Sequence, residues 1–200
     1  YSVFVVFDGD YMFDAVAGSV DYYSYWEDMP EAIVVGVNQL GKRFDDCIYS
    51  EQNSFPIETG AAFFEFIGME LIPYIEKTYR AGGFRVAVGH GETANFINYF
   101  LLKPDPLFQS YIVISPELAP NMIDYLPSAL SEIESKTFYY LANTENDITS
   151  IKKTTEVLNK DLAAIENPNL SYNFNSFDAP SHYTVPTHAI PRAIEELFKS

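Results

Sequence analysis

Cysteine is almost missing from this chain: Cys47 is the only one in 200 residues. No intramolecular disulfide can form, so sulfur chemistry neither staples the fold nor reveals a redox compartment. Basic residues are scarce too. Twelve Lys and Arg face 28 Asp and Glu, which leaves a formal net charge of -16 and a pI near 4.3. Nucleic acid and anionic membrane need a basic face, and this composition supplies none. No apolar run of about 18 residues occurs, so no segment reads as a membrane span. Histidine occurs three times. None of the three lies in a metal spacing such as H-E-x-x-H, and Asp8, Asp10 and Asp14 lack the alternation and closing Glu of a calcium loop. "GHGETA" is neither a Walker loop nor a dinucleotide fingerprint. No cofactor and no metal are expected.

What the chain has in plenty is apolar and aromatic. Hydrophobic residues make up 48%, with 15 Tyr and 16 Phe, enough for a sizeable core and incompatible with disorder. With no repeat, linker or low-complexity stretch, residues 1–200 are expected to form one domain. The chain starts without Met, directly on a strand pattern, so a further N-terminal segment is expected before it.

Near-continuous apolar runs predict buried parallel strands at "YSVFVVFDGD", "EAIVVGVNQ", "GGFRVAVGH", "SYIVISPEL" and "TFYYLANTEND". "LSYNFNSFDAP" alternates more and predicts a strand nearer an edge. Helical spacing falls between them, at about 11–28, 59–79 and in "ETANFINYFLLK", "MIDYLPSALSEIE", "SIKKTTEVLNKDLAAI" and "HAIPRAIEELFKS". Pro73 should kink the second of these helices. Residues 40–60 have no period and read as a surface loop, and Tyr22, Tyr23, Tyr25 and Trp26 read as partly core. Strand and helix alternate about six times, which predicts an α/β fold with a doubly wound, mostly parallel sheet.

In open parallel sheets ligands bind at the carboxyl ends of strands. "VGHGETAN" is a strand, a sharp turn and a helix, the setting of the G-x-S-x-G nucleophile elbow, but Gly91 stands where serine belongs. The fifth strand is followed by Glu145 and Asp147, and the sixth by Ser181 and His182. Elbow, acid, then histidine is the chain order of an α/β-hydrolase triad.

Several stretches carry a resemblance to one family. "FIGMELIPYIEKTYR", "VGHGETAN" and "SHYTVPTHAIPRAIEELF", with "VVFDGDYMF" and "IVVGVNQLGKRFDD", are similar to the α/β-hydrolase-fold esterases of the esterase D and enterochelin-esterase type. The resemblance implies an α/β-hydrolase fold preceded by antiparallel strands, a small-molecule ester ligand, and a bacterial periplasmic or secreted home. It places the catalytic histidine on His182 and the acid on Asp147, with Glu145 as the alternative. Asp147 can equally be the N-cap of the helix that follows it. His90 is expected to pack under the elbow, and Ser115 and Ser181 are expected to be turn residues. The oxyanion hole falls on the backbone N–H of Glu92 and of Asp10 or Tyr11.

Gly91 departs from the family pattern, and so do Thr93 and Ala94, where the family has two glycines. Without a nucleophile side chain no acyl-enzyme forms. The first reading is therefore a catalytically impaired relative, a pseudo-hydrolase that keeps a cleft for a small ligand or a protein partner. The second is an active serine-type ester hydrolase whose serine was engineered to Gly91, or one that uses water activated by His182.

Overall fold

The computed structural model describes residues 1–199. Six parallel strands, β1 (Ser2–Phe7), β2 (Ala32–Val37), β3 (Arg85–His90), β4 (Ser110–Ile114), β5 (Thr137–Asn146) and β6 (Leu170–Ser181), form one sheet in the order β2-β1-β3-β4-β5-β6. The chain steps from β1 to β2 on one side and then crosses back to place β3 on the other. Strand order thus reverses between β1 and β3, and that switch point opens a crevice at their carboxyl ends.

Helices α1 (Gly9–Tyr25) and α8 (Pro186–Phe198) cover one face. The short α2 (Arg43–Asp46), then α3 (Glu58–Phe66), α4 (Ile72–Thr78), α5 (Glu92–Leu101), α6 (Met122–Ser131) and α7 (Thr149–Ala163) belong to the other. The central strands β3 and β4 are almost wholly buried, which is why their sequences are continuous apolar runs rather than alternations. The α1/α8 face is mainly aliphatic. The opposite face is built of rings, with Phe64 stacked on Phe100 at 4.3 Å and Phe63 against Phe96 at 5.0 Å. Each such pair adds about 0.5–1.5 kcal/mol beyond its buried area.

The structure departs from the sequence reading in four places. β2 is only half-buried, because it is the edge strand; its apolar run still packs both ways, Ile33 and Val35 toward one core layer and Ala32 and Val34 toward the other. The helix expected over 59–79 is interrupted by a π-helical turn, Ile67–Leu71, just ahead of Pro73. Proline has no N–H to donate, and the wider turn absorbs the mismatch that a kink would otherwise take up. The aperiodic 40–60 segment contains α2. Tyr22, Tyr25 and Trp26 are exposed rather than core. No helix among the described residues is long and apolar enough to cross a membrane.

Candidate functional site

β3 runs into α5 through a single residue, Gly91. Its backbone sits at φ 61°, ψ -121°, a region that side chains rarely adopt and that glycine enters without steric cost. Gly89 must also be glycine: a Cβ there would lie 2.7 Å from the Thr93 carbonyl oxygen. The elbow is therefore tight although Thr93 and Ala94 stand where glycines were expected. Both are fully buried, and the Thr93 hydroxyl accepts the His90 N–H at 3.0 Å.

A Cβ built on Gly91 would lie 3.9 Å from His182 Nε2 and 3.1 Å from Arg43 Nη2. Two groups of side chains thus converge on the elbow. On one side, His182 Nδ1 is 2.7 Å from Asp147 Oδ1. The carboxylate can only accept, so Nδ1 carries a proton and Nε2 is the nitrogen that faces Gly91. Asp147 also accepts the Ser115 hydroxyl at 2.5 Å and the Ile148 N–H at 2.9 Å. Burial pushes its carboxyl up, but the bonds from His182, Ser115 and Ile148 outweigh burial and hold it below the ordinary range. Asp147 is therefore ionised at neutral pH.

On the other side, Asp8 ends β1 in the left-handed region, φ 56°, and is buried. Its carboxylate accepts Arg43 Nε at 2.6 Å, Arg43 Nη2 at 3.1 Å and the Thr93 hydroxyl at 2.6 Å. Arg43 Nη1 pairs with Glu92, and Nη2 also donates to the His90 carbonyl at 2.7 Å. Burial alone would lower the Arg43 pKa, yet the bonds and charges of Asp8, Tyr11 and Glu92 raise it above its ordinary value.

His90 bridges the two groups. Its Nε2 lies 2.9 Å from the His182 carbonyl oxygen and its Nδ1 2.9 Å from the Tyr11 hydroxyl. Burial first, then the charges of His182 and Arg43, pull its pKa down to about 4, so it is neutral at pH 7. A carbonyl needs a donor, which fixes the proton on Nε2 and leaves Nδ1 to accept from Tyr11.

The structure thus brings Gly91, His182 and Asp147 together and sets Glu145 apart, paired with Lys152 at 2.5 Å and with Ser176 at 3.1 Å on the surface. Of the backbone donors expected near the elbow, the N–H of Tyr11 is corrected: it closes the first turn of α1 on the Asp8 carbonyl at 3.1 Å. The N–H groups of Asp10 and Glu92, at the starts of α1 and α5, donate to no backbone or side-chain acceptor among the described residues. Their carboxylates are turned aside, Glu92 to Arg43 and Asp10 to the Gln39 N–H at 3.2 Å. Sequence reasoning gave no role to Arg43, which lies in the aperiodic segment, and preferred a turn residue to a substitute nucleophile at Ser115. No group of His, Cys, Asp and Glu suited to a metal ion occurs among the described residues.

No protein-family model and no curated protein matches the sequence. Solved structures do. An uncharacterised protein from Capnocytophaga ochracea superposes with a TM-score of 0.88 at 25% identity, over all of this chain and 57% of its own length. An IroE-like serine hydrolase from Shewanella oneidensis gives 0.84 at 22% identity, over 100% of this chain and 70% of that one. The BES protein from Bacillus cereus gives 0.83 at 21%, over 98% and 82%. The chain spans little more than half the length of the first of these. Six parallel strands in this order, helices on both faces and the likeness to these structures identify the fold: this chain has the α/β-hydrolase fold.

Proposed function

We propose that this protein is an esterase-type hydrolase that has lost acyl transfer and kept its site as a binding cleft. One observation carries the reading: the backbone bends as an elbow does, His182 Nε2 faces the bend, and residue 91 has no side chain to be activated. In this reading His182 and Asp147 are the former base and its orienting acid, and the N–H groups of Glu92 and Asp10 are the former oxyanion donors. They still suit the carbonyl oxygen of a bound ester or acid. Removing the nucleophile from such a triad costs about a million-fold in turnover.

A second reading is favoured by the retained His182–Asp147 pair. His182 Nε2 faces the space a serine side chain would fill, and a water there would be within reach of a general base. Attack of that water on an ester would be slow but would release acid and alcohol directly, with no acyl-enzyme.

The discriminating experiment compares the protein with its Gly91→Ser variant, using short-chain p-nitrophenyl esters and a fluorophosphonate label. The expected result is no turnover and no label on the protein, and label on the variant. Turnover without labelling by the protein itself would establish the water route. A silent variant would show that the site has diverged beyond its nucleophile.

A further inference from the structure

A cavity of about 710 Å³ lies away from the elbow, on the ring-rich face of the sheet. It opens between residues 55–56, α3, the π-helical turn and the far end of α5. Tyr99 lines it and follows Gly91 by eight residues, so the two places stand about 12 Å apart along the axis of α5. Gly91, Asp147 and His182 do not border it. Its volume is that of a small-molecule pocket, which spans about 300–1,000 Å³.

The lining is mostly aromatic. Phe55, Phe64, Tyr99 and Phe100 contribute rings, and Leu107 adds an aliphatic surface. The rings brace one another. Phe64 stacks on Phe100 at 4.3 Å, and Phe55 stacks on Tyr125 at 5.5 Å and lies 6.4 Å from Tyr99. A fixed set of ring faces and edges suits a flat aromatic guest, which gains from offset and edge-on contact. The π-helical turn supplies Gly68 and Met69. Met69 is unbranched, adaptable and 77% exposed. A Cβ on Gly68 would meet nothing within 4 Å, and its backbone is not left-handed, so space stands open there without the conformation demanding glycine.

Charge decides the class of guest. Lys103 is the one cation bordering the cavity, and its Nζ already sits over the Phe64 ring at 5.0 Å. A cationic guest would compete with it for that ring and meet its charge. An anionic guest would meet Glu65 and Asp105, two exposed carboxylates on the same border, and a chain that carries -16 overall. Neither sign of charge on a guest is matched here.

We propose that this cavity is a second binding site, separate from the elbow, and that it takes an uncharged polycyclic aromatic compound. Phe55, Phe64, Tyr99 and Phe100 hold the flat guest, and Met69 covers its exposed edge.

Three matched naphthalenes test this: 2-naphthol, 2-naphthoate and N,N,N-trimethyl-2-naphthylammonium, titrated at pH 7 on the methyl NMR signal of Met69. That signal reports on this cavity, because Met12, Met29 and Met122 are buried and do not border it. 2-Naphthol should bind saturably, one per chain, with a dissociation constant about tenfold or more below those of the two ions. Gly68→Leu places a side chain in the open space and suits a helix better than glycine does. It should weaken 2-naphthol about tenfold without lowering the midpoint of thermal unfolding. Phe55→Ser, at a ring that is already 41% exposed, should weaken it several-fold. A Met69 signal that 2-naphthol does not move saturably would overturn the site, as would a guest that moves the His182 ring signal instead. So would binding indifferent to both Gly68→Leu and Phe55→Ser. Either ion bound as tightly as 2-naphthol would overturn the ligand class.

Discussion

The two groups that meet over Gly91 are built on different physics. The His182 side is a line of single directional bonds, Ser115 to Asp147 and His182 to Asp147, each at 2.5–2.7 Å, and it ends in the ring nitrogen Nε2 aimed at the elbow. The Arg43 side is a closed ion cluster in which two carboxylates, Asp8 and Glu92, surround one guanidinium. The first group orients a ring nitrogen, which suits it to handling a proton. The second neutralises charge, which is of use for holding the elbow in place. Thr93, one of the residues that departs from the esterase pattern, belongs to the second through its bond to Asp8, and Glu92 seals the cluster directly after Gly91. The elbow is thus ionic on one side and directional on the other.

The sharpest way to break this contrast is to restore the nucleophile and then remove each group in turn. In a Gly91→Ser background, His182→Ala should abolish fluorophosphonate labelling, an effect of the order of a million-fold if the restored site works as a triad. Labelling that survives this change would mean that the serine reacts without the His182 side, and the directional reading of that side would fail.

Next in size is the ionic side. Arg43→Ala strips the buried Asp8 carboxylate of two charged bonds and leaves only the Thr93 and Tyr11 hydroxyls beside it. Breaking a buried pair by removing one member costs about 3–5 kcal/mol. For a chain of this size the midpoint of thermal unfolding should fall by roughly 10 °C, since each kcal/mol is worth about 2–4 °C. A loss under about 1 kcal/mol would show the cluster to be a surface ornament.

The bridge between the two groups responds to pH. His90 has a pKa of about 4 in the folded protein against 6.5 for the free side chain. The unfolded chain therefore binds a proton between those values while the folded one does not. Stability is complete above pH 6.5, falls as the pH drops toward 4 and then levels off, with about 3 kcal/mol lost from this group. Denaturant midpoints measured across that window should show the slope, and His90→Gln should flatten it. An unchanged slope would place the titration elsewhere.

Much of this was legible in the sequence because it follows from period and order. The continuous apolar runs of β3 and β4 point to strands covered on both faces, as the structure has them, and loops after β5 and β6 lie at one end of a parallel sheet. Topology puts these loops at one end of the sheet, and the esterase resemblance singles out His182 and, with Glu145 as the alternative, Asp147 within them. Arg43 was not legible, because α2 is four residues long and carries no periodicity, and a guanidinium that folds back over a neighbouring strand leaves no local pattern. Ser115 was hidden for a different reason. Its backbone lies at φ 43°, which glycine or asparagine would have advertised and serine does not. The π-helical turn was missed because Pro73 signals an interruption without saying which kind.

Ser115 gives the smallest and most selective test of the directional side. Its hydroxyl is buried at the carboxyl end of β4 and donates to Asp147 Oδ2, opposite the oxygen that receives His182. A hydrogen bond to a charged group contributes about 1.5–3 kcal/mol. Ser115→Ala should cost about that much at pH 7, because the variant keeps the same backbone bend and loses only the bond. Asp147 is a carboxyl whose folded pKa is depressed, so the stability it lends is present above the ordinary carboxyl pKa of 3.8 and is lost as the pH falls below it. The gap between protein and variant should therefore be constant above the ordinary carboxyl pKa of 3.8 and shrink as the pH falls below it, through the depressed pKa of the folded carboxyl. A gap that stays constant through the acid range in which the Asp147 carboxyl titrates in the folded protein, followed by its NMR signal, would mean that Ser115 supports the turn rather than the charge on Asp147, and the two sides of the elbow would then differ less than their bonds suggest.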